Sequence, residues 1–156
     1  MQSMKSIRTI ALSALVLLFA PSLLASDFGV RYGEYRDSSA EFVGVEMLFD
    51  LGTLNINPNL EYSLEDDVTA GSANLDVTFD LGKFSRVTPY VGAGVGIHYL
   101  DDTAGNTTDI LGNLIGGVSF DLDFVKPYAQ VKYFRVLQNE DGLDSDDVSL
   151  AVGLRF

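Results

Sequence analysis

The chain holds one histidine and no cysteine. Thiolate metal sites and disulfides are therefore excluded. For His98 to act as a base, an acid and a nucleophile would have to converge on its ring. Glu61 and Ser63 share one face of a strand-like stretch, but no local motif ties them to His98. A histidine hydrogen-bonded to a neighbour is the simpler assignment, and no catalytic residue is expected. A second possibility is charge pairing. Arg31, Glu46, Glu61, Asp76, Lys126, Lys132 and Arg155 fall on the polar side of alternating stretches, with Tyr90, Tyr128 and Gln130 among them. Both signs occur in similar numbers. If that side is enclosed, unpaired charges are costly and ion pairs are the default. The third possibility is acid in the loops: Glu65, Asp66 and Asp67; Asp101 and Asp102; Glu140, Asp141, Asp144, Asp146 and Asp147. Residues 141–147 offer oxygen ligands but not EF-hand spacing. A solvated acidic surface is the simplest reading, and no metal or cofactor is expected.

Residues 1–25 stand apart from the rest. Lys5 and Arg8 form a basic start, Ile10 to Ala20 is apolar, Pro21 breaks the run, and Leu24-Ala25-Ser26 offers small residues for cleavage. That pattern reads as a secretory signal peptide. The apolar run is too short to span a bilayer as a helix, and no Cys near the cleavage point could carry a lipid anchor. Residues 26–156 are then the folded domain. The chain carries a formal charge of −12, and losing Lys5 and Arg8 makes it more acidic still. A nucleic-acid partner would want the opposite sign. No second apolar run is long enough for a membrane helix, so if the chain spans a membrane it must do so as a closed barrel.

The elements that would position these charges follow from a period of two. The alternation predicts eight strands, at about 27–35, 41–51, 54–65, 73–81, 86–100, 109–122, 125–137 and 147–156. The third is the cleanest. Leu54, Ile56, Pro58, Leu60, Tyr62 and Leu64 face one way, while Asn55, Asn57, Asn59, Glu61, Ser63 and Glu65 face the other. No helix can sort these two sets apart. Short turns and longer polar loops alternate along the chain. Phe-Asp-Leu recurs at 49–51, 79–81 and 120–122, each time before a short turn. Phe49, Phe79, Phe120 and Phe156 thus mark one rim. Tyr32, Tyr62, Tyr99 and Tyr133 mark the other. Two aromatic girdles around an apolar band suit two water–lipid interfaces.

Alternation alone does not say which face is wet, since a soluble barrel hides its apolar face. Three features favour apolar outside. The charged face also holds Gly92, Gly94, Gly96, Gly117, Ala151 and Gly153, which suit a crowded lumen. The aromatics cluster at strand ends. The two ends differ systematically in loop length. The last strand, with Val148, Leu150, Val152, Leu154 and Phe156 on one face, resembles the C-terminal strand of bacterial outer-membrane barrels. Residues 88–96, Thr-Pro-Tyr-Val-Gly-Ala-Gly-Val-Gly, with Pro127-Tyr128 repeating the theme, resemble strands of the OmpA/OmpX-like small barrels. The resemblance covers 27–156. It departs from OmpA itself in stopping at Phe156, with no peptidoglycan-binding domain, so tethering to the cell wall is not carried over.

The expected fold is therefore all-β: an eight-stranded, antiparallel, up-and-down transmembrane β-barrel. The resemblance implies residence in the outer membrane as a monomer. Its surroundings would be lipid and lipopolysaccharide, and the barrel-assembly machinery would read Phe156 with Leu154 and Val152. Divalent cations bridging the acidic loops to lipopolysaccharide, or a partner-binding surface, are the sharper readings of those loops. A structural, envelope-stabilising role without enzymatic activity is expected. The alternatives are a small-solute channel of the OmpW kind and a surface adhesin. Eight strands leave an interior that side chains can just fill, which favours a plug over a pore. Closure would make strands one, two and eight neighbours, so that Arg31 and Arg155 could both approach Glu46. Arg31, Glu46, Glu61, Asp76, Lys132 and Arg155 are the expected lumen network.

Overall fold

The computed structural model describes residues 26–64, 69–102, 105–138 and 146–156. The signal-peptide assignment at 1–25 and the loop acids Glu65, Asp66, Asp67, Glu140, Asp141 and Asp144 lie outside these residues. Eight strands form one closed barrel: β1 (Ser26–Tyr35), β2 (Glu41–Asp50), β3 (Leu54–Ser63), β4 (Thr69–Asp80), β5 (Val87–Asp102), β6 (Gly105–Phe120), β7 (Lys126–Gln138) and β8 (Asp146–Arg155). Each pairs antiparallel with its neighbour in sequence, and β1 pairs with β8 to close the ring. No sheet edge is left to satisfy. Phe156 extends the seam, its N–H donating to the Phe28 carbonyl at 2.8 Å.

The strand boundaries correct the sequence reading at one end. β4 begins at Thr69, not Ala73, and β6 begins at Gly105, not Asp109. The added residues pair across the β4–β5–β6 ladder, as in Thr69 with Asp101 and Leu100 with Thr107. Their side chains have no apolar alternation, but a backbone ladder needs none. Hydrogen bonding carries the sheet past the point where the apolar face stops. At the other end the strands stop one or two residues sooner than the pattern suggested, at Asp50, Asp80 and Phe120. There the Phe-Asp-Leu repeat has a backbone counterpart. The residue after each repeat has positive φ: Gly52 at 96°, Gly82 at 121° and Asp123 at 65°. Glycine enters that region freely, and Asp enters it more readily than most residues.

The faces sort as a barrel in an apolar solvent would require. Asn55, Asn57 and Asn59 are buried, while Leu60 is 50% and Tyr62 53% exposed. Val95 and Leu114 are likewise exposed, and Glu46, Asp76 and Lys132 are buried. Pro58, with no N–H to give, sits where the β2–β3 ladder skips Met47 and Leu48. The Asn57 side chain instead donates to the Met47 carbonyl at 3.0 Å.

Candidate functional site

The lumen holds an ion-pair ladder. Arg155 Nε donates to Glu46 Oε1 at 2.7 Å, and Glu46 Oε2 lies 3.8 Å from Arg31. Arg31 reaches Glu61 at 3.1 Å. Glu61 lies 3.7 Å from Lys132, and Lys132 donates to Asp76 at 2.9 Å. The order Arg155–Glu46–Arg31–Glu61–Lys132–Asp76 alternates in sign, with as many cations as anions. All six residues are buried. They come from β8, β2, β1, β3, β7 and β4 respectively, so the ladder crosses the barrel instead of following one wall. Arg155 also stacks over the Tyr128 ring, 4.1 Å from its centroid.

Neutral polar groups satisfy the carboxylates further. Glu46 accepts from Asn57 at 3.1 Å. Glu61 accepts from the Tyr35 hydroxyl at 2.7 Å and from Ser72 at 3.0 Å. Asp76 accepts from Asn59 at 2.8 Å and from Asn113 at 3.1 Å. A charge in a low-dielectric enclosure needs such extra donors as well as a counter-ion.

Space for these side chains comes from small residues on adjacent strands. Arg31 has Gly44 and Gly153 as its cross-strand partners. Gly29 is opposite both Glu46 and Arg155. Gly94 is opposite Asp76, and Ser149 is opposite Lys132. A Cβ built at Gly29 would come within 2.8 Å of the Glu46 side chain, and one at Gly94 would collide with the Asp76 carboxylate. Gly117 and Gly153 make the same allowance for the rings of Tyr90 and Tyr128. These glycines are placed for close approach, not for backbone freedom.

Other residues named from sequence take different places. Lys126 pairs with Asp27 at 2.7 Å near the short-turn end, outside the ladder. Tyr32, Tyr62, Tyr99, Tyr133, Phe79, Phe120 and Phe156 are exposed on the outer wall, and Phe49 is half-buried. His98, Ser63 and Glu61 border one cavity. Ser63 Oγ nevertheless has no hydrogen-bond partner among the described residues, so no base is on it. Glu61 is spent on Arg31, Lys132, Tyr35 and Ser72. The triad geometry is not formed.

The sequence reading missed an apolar layer above the ladder. Phe42, Leu111 and Ile115 point inward and are buried, and Phe42 meets Tyr35 with ring centroids 4.7 Å apart. The signal was available. Phe42 has the same parity as Glu46, and Leu111 and Ile115 have the parity of Asn113.

Neither a protein-family description nor a characterised protein matches the chain by sequence. Solved structures do match by shape. Neisserial surface protein A aligns with a TM-score of 0.68 at 16% identity, over 83% of this chain and 94% of that one. The N-terminal β-barrel domain of Pseudomonas aeruginosa OprF aligns with a TM-score of 0.68 at 17% identity, over 84% and 96%. Closed eight-stranded topology, polar lumen and apolar outer wall together give this chain the fold of the small outer-membrane barrels.

Proposed function

We propose that the protein is an integral outer-membrane barrel with a structural, envelope-stabilising role, a lumen closed by its charge ladder, and no enzymatic activity. The observation that carries this reading is the ladder itself. It is charge-balanced, buried and drawn from six of the eight strands, so it cross-links the barrel wall through its centre. A conduction path would need mobile water and accessible charge there. The outer wall supports insertion in lipid. Apolar side chains cover it from Phe79 and Phe120 at one rim to Tyr62 and Tyr99 at the other. Beyond the tyrosines, Glu34, Glu41, Asp101 and Asp146 are exposed. Such a collar suits divalent cations bridging to lipopolysaccharide phosphates. Residues 1–25 act as a cleaved export signal in this reading, and the barrel is monomeric.

Assembly gives the first test. Leu154 and Val152 share the outward face of β8 with Phe156, which is 61% exposed beyond the seam. If the assembly machinery reads this face, deleting Phe156 or replacing it with Ala lowers the amount of folded protein in the outer membrane. The check is membrane fractionation followed by unheated gel electrophoresis, which separates folded from unfolded barrels. Equal folded yields for Phe156→Ala and wild type would remove the recognition role. Wild-type protein found in the soluble periplasmic fraction would remove the membrane reading itself.

A further inference from the structure

Between the ladder and the longer loops lies a chamber of about 270 Å³. Its polar lining includes Ser63 from β3, His98 from β5, and Asp109 and Asn113 from β6; Phe134 and Leu111 supply apolar wall. Ser63 is 6% and Asn113 4% exposed. Three buried oxygens here have no hydrogen-bond partner among the described residues: Ser63 Oγ, Asp109 Oδ1 and Asn113 Oδ1. Glu61 and Lys132 also border the chamber, but both are engaged in the ladder. The ladder's carboxylates are well supplied with donors, yet directly above them three oxygens are left over. Buried polar atoms are costly to leave unmet, so whatever enters the chamber must answer them.

We infer that this chamber binds a small neutral polyhydroxylated molecule, of the size of one sugar ring. The space equals about nine waters at about 30 Å³ each. Asp109 Oδ1 and Asn113 Oδ1 require donors, and the Ser63 hydroxyl takes either role. Hydroxyl groups spaced around a ring meet all three, because each can donate and accept. An ammonium group also brings three donors, but one nitrogen fills little of about 270 Å³, whereas ring hydroxyls reach the same oxygens and occupy the space. The C–H faces of a polyol match Phe134 and Leu111. The barrel is also irregular at this level: Ile110 pairs with Gln138 and Leu111 with Val136, so β7 carries an extra residue at Leu137. A bulge of this kind bends the wall locally and re-aims side chains.

The experiment is NMR titration of the full-length chain, expressed with its N-terminal segment, purified from membranes and selectively labelled at His and Asn. Glycerol, myo-inositol, D-glucose and D-galactose are the probes, with ethanolamine as the amine control. Each is raised to about 50 mM, tens of times a millimolar Kd. At least one ring polyol is expected to give saturable shifts confined to His98 and Asn113. Ser63→Ala should weaken that Kd about fivefold, the effect of one neutral hydrogen bond. Ala70→Leu, which fills the chamber from a buried wall position, should abolish the shifts while the remaining spectrum stays dispersed. If Ala70→Leu does not fold, Ser63→Ala carries the test alone. The inference is overturned if no polyol gives saturable shifts. It is also overturned if ethanolamine alone binds, or if Ser63→Ala leaves the affinity unchanged.

Discussion

Replacing Glu46 with Ala is expected to destabilise the barrel by about 3–5 kcal/mol, the cost of leaving a buried charge without its partner. Glu46 is 2% exposed and stands between two arginines. Arg31 would keep Glu61 at 3.1 Å. Arg155 would keep the Tyr128 and Tyr90 rings, 4.1 and 5.9 Å away, but no charged partner, because among the described residues Glu46 is the carboxylate within ion-pair distance. The loss therefore falls on Arg155. A double variant, Glu46→Ala with Arg155→Met, removes both charges and should recover a large part of the stability. The check is the urea midpoint of protein refolded into lipid vesicles, at unchanged slope. A midpoint for Glu46→Ala equal to wild type would mean that the ladder is solvated, not buried.

Replacing Leu60 with Arg is expected to cost about 2–4 kcal/mol in bilayer, since Leu60 lies on the outer wall near the middle of β3. It is 50% exposed, between the buried Asn59 and Glu61. Val95→Arg should behave alike, as Val95 is 56% exposed on β5. Asn59→Arg tests the opposite face. Asn59 donates to Asp76 at 2.8 Å and accepts from Asn74 at 3.1 Å. Its replacement disturbs lumen packing, and the penalty should not depend on lipid thickness. The comparison is refolding stability in vesicles of short-chain and long-chain lipid. Leu60→Arg as stable as wild type in both would reverse the assignment of inside and outside.

The sequence carried the fold through β3, where five polar and five apolar positions alternate without a break. It also carried the inward set of charges, because parity along a strand is a local property. From closure it also brought Arg31 and Arg155 to Glu46, but it did not carry the contacts of Arg31 and Lys132 with Glu61 or of Lys132 with Asp76. Arg31 meets Glu46 and Glu61 because its cross-strand neighbours are Gly44 and Gly153, and those pairings depend on how the whole barrel closes. The strand extensions at Thr69 and Gly105 were illegible for a related reason. Outside the apolar band backbone hydrogen bonds carry the strand pairing, and side-chain patterns do not record them. The chamber above the ladder is a property of packing. Its volume depends on inward residues such as Ala70, Leu111 and Phe134 from three separate strands. His98, Ser63 and Glu61 have the residue types of a triad, and the three do border one space. The ladder claims Glu61, and this turns the grouping from chemistry toward binding.

Single-channel recording tests most directly whether the ladder closes the lumen. Wild-type protein, purified to homogeneity and reconstituted in planar bilayers, is expected to show at most rare, small conductance events. Glu46→Ala, which removes a rung at the centre, should raise their frequency. Frequent, stable openings in the wild type that Glu46→Ala leaves unchanged would contradict the closed lumen and establish a conducting path past the ladder.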